Sequence, residues 1–301
     1  MRISLVYCFL FLLIGSNLFA QSLIPNVGGF IRTKSIQDHV SVARIENSEE
    51  MCSPAVLIGP RVFLTAAHCT PLIASNGLVK VYGPGFNKII RVKAVTMSLI
   101  TDDDFFSGDD CRTLIQSLPD GVTLTDQYLA KCWFKGGAAD IALLVADQDI
   151  QSPMLSLGGI APQNMEVISR LAEISKCGGD QGFFNRSQFK VFELNNSQVV
   201  LENFNVGSAQ SNLSKCGGGS GGIYYRTLQD GSINIVGIHS ASIQNAGPYT
   251  IYGKKIFLST NLFGGTNLFA TEPMDWLIHQ IAKFGLQICG INLTCHPVKL
   301  K

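Results

Sequence analysis

Charge is scarce in this chain. Only 15% of its residues are Asp, Glu, Lys or Arg, and they nearly cancel, leaving a formal net charge of +1. Lys and Arg form no cluster, which argues against nucleic acid as the main partner, because phosphate contacts need a basic patch. No Cys-x-x-Cys pair and no His/Cys group has zinc-ligand spacing. No internal repeat or low-complexity segment is evident, and beyond residue 20 no apolar run is long enough to span a bilayer. What is plentiful is apolar material. Hydrophobic residues make up 46% of the 301, enough for a sizeable core and too much for a disordered chain.

The one long apolar run lies at the start. Arg2 is followed by a nearly unbroken hydrophobic stretch from Leu5 to Ile14, and small and polar residues then lead to Ala20. The pattern predicts a secretory signal peptide over residues 1–20, cut between Ala20 and Gln21. A membrane anchor is the competing reading, but the run is short for one. The mature chain is then expected from near Gln21, secreted or periplasmic, in an oxidising compartment and off the membrane. Of nine cysteines Cys8 leaves with the signal, and eight remain: Cys52, Cys69, Cys111, Cys132, Cys177, Cys216, Cys289 and Cys295. An even number in a secreted chain points to disulfides, whose connectivity spacing alone does not fix.

Short stretches rich in Val, Ile, Leu and Phe recur between Gly, Pro, Asn and Asp. They are Ala55–Ile58, Val62–Ala66, Leu78–Tyr82, Ile89–Val95, Ile141–Val145, Gln198–Leu201, Ile233–Ile238 and Tyr249–Ile251. Several alternate with period two, which reads as an all-β barrel or sandwich. One helix is expected near the end. Thr271 would cap it, Pro273 falls early, Met274, Leu277, Ile278 and Ile281 share a face, and Gly285 would stop it. Residues 97–135 read as a long loop excursion carrying Asp102, Asp103, Asp104, Asp109 and Asp110. Carboxylates could hold calcium, but a solvated acidic loop is the preferred reading. Cys111 and Cys132 bracket much of it and are expected to staple it.

Three segments carry chemistry-bearing residues. Phe63-Leu-Thr-Ala-Ala-His-Cys69 brings His68 out at the edge of a buried strand. Ala139-Asp-Ile-Ala-Leu-Leu144 leads a strand with Asp140, and Cys216-Gly-Gly-Gly-Ser-Gly-Gly222 sets Ser220 among glycines. Each alone has an ordinary explanation: a packed histidine, a turn cap, a flexible loop. Together they supply a nucleophile, a base to activate it and an acid to orient the base.

In this order the segments resemble the trypsin/chymotrypsin superfamily of serine endopeptidases, whose patterns are T-A-A-H-C, D-I-A-L-L and G-D-S-G-G. The first two match fully and the third differs at one position. Gly237-Ile-His-Ser240 and Gly247-Pro-Tyr-Thr250 resemble the strands walling that family's specificity pocket, and the similarity runs from about Val27 to Phe284. It implies two packed six-stranded antiparallel β-barrels with a C-terminal α-helix over about 273–284. The first barrel would span about 26–150 and the second about 151–270, within a single protease domain, 21–301. It implies His68, Asp140 and Ser220 as a catalytic triad, with the N–H groups of Gly218 and Ser220 as the oxyanion hole. The chemistry asks for no metal and no organic cofactor, and the expected partners are polypeptide substrates of a monomeric enzyme. By the same resemblance Cys52 pairs with Cys69, and Cys177 with Cys216. Cys289 and Cys295 are left, close enough to close a small C-terminal loop.

Two departures coincide. Gly219 stands where the family has Asp before the serine, and Pro25-Asn-Val-Gly-Gly29 stands where it has the cleavable Ile-Val-Gly-Gly. Loss of both partners of a buried ion pair strands no charge, so an enzyme without that activation switch is expected. The rival is an inactive secreted homologue that binds a protein partner through the same cleft. Counting back from Ser220 puts Ser214 at the pocket floor, with Lys215 next to it, so a preference for Arg or Lys is not supported. His239, Ser240, Ser242 and Gly247 fall along the pocket walls. His239 lies where glutamate-specific relatives carry a carboxylate-receiving histidine, and with Ser242 and Lys215 it suggests a preference for Glu. The competing reading is a pocket for small or apolar residues, with His239 a packed core residue and Lys215 facing solvent. Sequons occur at Asn185, Asn195, Asn212 and Asn292.

Overall fold

The computed structural model describes residues 31–32, 36–45, 52–97, 109–124, 139–163, 166–174, 183–194, 198–203, 219–243, 249–258 and 262–299. In chain order the strands begin with β1 (Ile31–Arg32), β2 (Val42–Ala43), β3 (Ala55–Gly59), β4 (Val62–Thr65), β5 (Leu78–Gly83), β6 (Phe86–Thr96), β7 (Val122–Leu124), β8 (Ala142–Ala146) and β9 (Ser156–Leu157). They continue with β10 (Val167–Ile174), β11 (Phe183–Leu194), β12 (Gln198–Asn203), β13 (Ile223–Thr227), β14 (Ile233–Ile243), β15 (Tyr249–Ile251), β16 (Lys254–Leu258) and β17 (Leu262–Asn267). Helix α1 spans Asp109–Ser117 and α2 spans Thr271–Phe284.

Six strands close a barrel in the order β2-β3-β4-β8-β6-β5, every neighbouring pair antiparallel. Closure leaves no edge strand to attract another chain. The strands bury large side chains on both faces: Leu57, Phe63, Leu64, Val81, Leu143 and Leu144 are fully buried. Strands β3, β4 and β8 are buried along nearly their whole length, while β5 alternates exposed and buried positions. That difference explains why some stretches read as continuous apolar runs and others as alternating ones.

A second antiparallel system follows. Strand β10 pairs with β13, β13 with β14, β14 with β17, β17 with β12, β12 with β11, and β11 returns to β10. The ring of pairings is closed, so this too is a barrel, with β1 added on β11 and β9 running parallel to β14. Its buried side chains include Ile168, Leu171, Tyr224, Tyr225, Ile235 and Ile238. The all-β architecture with a C-terminal helix is thus as expected.

Helix α2 buries Pro273, Leu277 and Gln280 and packs Trp276, Ile281 and Phe284 against the core. It stops at Gly285, whose φ of 58° is the left-handed conformation glycine adopts readily. Its N-terminal boundary is a correction: the cap residue is Ala270, with no side-chain bond, and Thr271 is already helical. The 97–135 excursion also needs correcting. It contains α1 and β7, and β7 joins β16 and β15 in a three-stranded sheet. Asp109 and Asp110 are the first residues of α1, and Ile115 on this helix is fully buried. A Cys111–Cys132 pairing lies outside the described residues, as do the sequons Asn195 and Asn212.

Candidate active site

The edge of each barrel delivers one part of the site. Strand β4 ends at Thr65, and the chain turns through a 3-10 helix, Ala67–Leu72, that carries His68. Cys69, the next residue, is fully buried and bonded to Cys52. The histidine is therefore anchored by its neighbour while its own side chain stays 27% exposed. Asp140 lies two residues before β8, the partner of β4, and is 1% exposed. Pairing of β4 with β8 brings the two together: His68 Nδ1 donates to Asp140 Oδ2 at 2.6 Å, and the His68 backbone N–H donates to Oδ1 at 3.0 Å. With the carboxylate as acceptor, the neutral ring carries its proton on Nδ1 and presents a lone pair at Nε2.

The second barrel supplies Ser220 and Ser240. Gly219, Ser220, Gly221 and Gly222 form a turn in which the Gly222 N–H bonds to Gly219 O at 3.1 Å. Gly221 has φ +81°, and a Cβ there would stand 2.6 Å from Thr65 Oγ1. Both facts demand glycine after the serine. The Ser53 N–H donates to Ser220 O at 2.8 Å, so the turn is tied to the first barrel beside the Cys52–Cys69 bridge. Ser240, on β14, is the connector. Its Oγ donates to Asp140 Oδ2, and its carbonyl accepts the Ser220 hydroxyl at 3.2 Å. An unbroken series of contacts thus joins Ser220, Ser240, Asp140 and His68.

The electrostatics follow from this geometry. Burial alone pushes the Asp140 carboxyl up. The bond and charge of His68, the Ser240 hydroxyl and the His68 backbone outweigh it and hold the group below the usual carboxylate range. Asp140 therefore stays ionised and can stabilise a positive His68.

His239 needs a revised description. Its side chain is 3% exposed, with Nδ1 2.6 Å from Tyr224 Oη and Nε2 3.3 Å from Arg170 Nη1. Burial first, then the charges of Arg170 and His68, depress its pKa well below that of an ordinary histidine. The ring packs among residues of β10 and β13, in surroundings that disfavour its protonation. Ser242 lies in β14 with only its backbone described. Ser214, Lys215, Gly218 and Gly247 lie outside the described residues, and so does a Cys177–Cys216 bridge. Cys289 and Cys295 are bonded to each other.

Arg170 and Tyr224 escaped the sequence reading. Arg170 did leave a signal, because it sits two residues from Ile168 on a strand, in phase with an inward position. Tyr224, in an Ile-Tyr-Tyr run, left none. Cys52, His68 and Cys69 have their ligand atoms within 4.8 Å of one another, the only such cluster among the described residues. Because the two sulfurs are bonded to each other, this is a disulfide beside a histidine and not a metal centre.

No family model matches the chain, and no curated protein matches it. Solved structures similar to it include the Vibrio cholerae VesB protease, at 13% identity and a TM-score of 0.47, covering 85% of this chain and 68% of that one. Another is a Glu endopeptidase in complex with MPD, at 15% identity and a TM-score of 0.47, covering 86% of this chain and all of that one.

Proposed function

We propose that the chain is a secreted serine endopeptidase of the trypsin/chymotrypsin type, with His68, Asp140 and Ser220 as its triad. The observation that carries this reading is the contact series Ser220–Ser240–Asp140–His68, which gathers the three residues of the sequence motifs from two barrels. In the working state the Ser220 hydroxyl leaves the Ser240 carbonyl and donates to His68 Nε2. Its oxygen attacks the scissile carbonyl carbon while His68 takes the proton, and Asp140 stabilises the resulting imidazolium. The Ser220 and Gly218 N–H groups would meet the oxyanion. His68 then protonates the leaving amine, and water activated by the same histidine hydrolyses the acyl-enzyme.

Preference for Glu is the finer reading of the pocket. With His239 neutral, such a preference is expected to be flat across the pH range in which an ordinary imidazole titrates, instead of fading as pH rises. Matched Glu and Gln substrates measured across pH test this. One observation favours the rival reading of an inactive homologue: the Ser220 hydroxyl rests on the Ser240 carbonyl. A diverse peptide library separates the two. Cleavage by the wild-type protein and none by Ser220→Ala supports the enzyme, whereas intact peptides with both proteins refute it.

A further inference from the structure

Beneath the nucleophile turn, inside the second barrel, three side chains meet that the reaction above does not use. Arg170 comes from β10, Tyr224 from β13 and His239 from β14, and they are 4%, 0% and 3% exposed. The imidazole stands between the other two, with Nε2 3.3 Å from Arg170 Nη1 and Nδ1 2.6 Å from Tyr224 Oη. A guanidinium offers only N–H donors. Nε2 is therefore the acceptor, Nδ1 bears the proton, and the Tyr224 oxygen accepts it. This arrangement suits one state of the ring alone, since a protonated ring would turn an N–H against Arg170. The surroundings enforce that state. Burial, the Arg170 charge and the His68 charge all disfavour protonation, against a backbone hydrogen bond with Gly264 on β17 that favours it.

The main chain of the same histidine holds the turn that carries Ser220. His239 O accepts the Gly221 N–H at 2.8 Å, and the His239 N–H donates to Gly222 O at 2.7 Å. The next residue, Ser240, contacts both Ser220 and Asp140. A Cβ built on Gly219 would lie 3.5 Å from Arg170 Nη1 and 3.5 Å from His239 Nε2, so the cluster sits directly under the residue preceding the nucleophile.

We propose that Arg170 and Tyr224 are positioning residues: by locking the His239 ring from both sides they fix the backbone at 239–240, from which the Ser220 turn hangs. This rests on the protease reading above. It assigns to a buried cation and a neutral imidazole the support that no carboxylate at Gly219 can give. Displacement of the turn by a fraction of an ångström would misplace Ser220 relative to His68, and catalysis is steep in such distances.

The test compares wild-type protein with Arg170→Met, Arg170→Lys and Tyr224→Phe, reading hydrolysis, Ser220 labelling by a fluorophosphonate, and NMR titration of the His239 ring. Arg170→Met is expected to lower kcat roughly ten- to a hundredfold with KM nearly unchanged. It should also raise the His239 ionisation, while burial, the larger cause, still holds it below that of an ordinary histidine. Arg170→Lys, which keeps a donor and a charge, should recover part of both. Tyr224→Phe should lower kcat and change the Nδ1 shift without removing the ring contact. Wild-type kcat in folded Arg170→Met overturns the proposal, and so does a fallen kcat with an unaltered His239 titration. If Arg170→Met does not fold, Tyr224→Phe decides by the same two readouts. If wild-type protein neither cleaves nor labels, the protease reading fails and the positioning role with it, while the titration still judges the Arg170–His239 contact separately.

Discussion

Replacing Ser240 by Ala removes one oxygen and leaves the backbone in place. The Ser240 carbonyl still accepts from Ser220, while Asp140, 1% exposed, loses its hydroxyl donor. A hydrogen bond to a buried charge contributes about 1.5–3 kcal/mol. The cavity left is small, so the loss at neutral pH should fall in that range. The pH dependence distinguishes this cause from simple packing. Asp140 has a folded pKa below its unfolded value, near 3.9 for a free Asp. Its contribution is present above the unfolded value and lost as pH falls through the folded one. The Ser240 bond is part of what depresses the pKa, so the gap between wild type and Ser240→Ala should be full at pH 7 and should narrow as Asp140 becomes protonated. Urea unfolding across that interval measures the gap. A deficit under about 0.5 kcal/mol at neutral pH would refute the reasoning, as would a deficit of constant size down to the lowest pH at which the protein stays folded.

Two further perturbations address the turn and the buried imidazole. Gly221→Ala forces a residue to φ +81° with its Cβ 2.6 Å from Thr65 Oγ1. It is expected to cost about 1–3 kcal/mol, visible by calorimetry as a melting temperature several degrees lower. An unchanged melting temperature would mean that the turn relaxes freely. His239 has a depressed folded pKa, so the unfolded chain binds the proton first and stability should decline as pH drops below about 6.5. The slope it adds is at most about 1.4 kcal/mol per pH unit, and His239→Gln should abolish that increment. Equal slopes in the two proteins would place the neutral ring in doubt.

The barrels were legible because their strands obey local rules. Ala55–Gly59, Val62–Thr65, Leu78–Gly83 and Tyr249–Ile251 lie within a residue of the stretches marked out by period and flanking turn residues. Gly285 ends its helix for a reason any sequence displays. Helix α1 was not legible, because its opening aspartates, suited to a helix N-terminus, look the same as a solvated acidic loop, and the burial of Ile115 is decided elsewhere in the fold. Asp140 and His68 stand out through their motifs. Tyr224 does not, and Arg170 shows only its phase with Ile168, because their environment depends on a histidine 15 and 69 residues away in sequence. The surroundings of His239 were hidden for the same reason: its residue type fits a carboxylate receiver, and only the packed neighbours make it a buried ring whose protonation is disfavoured.

The central claim is that Ser220 is an activated nucleophile. Incubating the protein with a fluorophosphonate and mapping the adduct by mass spectrometry tests it directly. The account predicts one adduct per chain, on Ser220, formed at a rate that collapses in His68→Ala, because the hydroxyl reacts only when the imidazole takes its proton. No adduct on the folded wild-type protein, or labelling at Ser220 that proceeds equally well without His68, would contradict it.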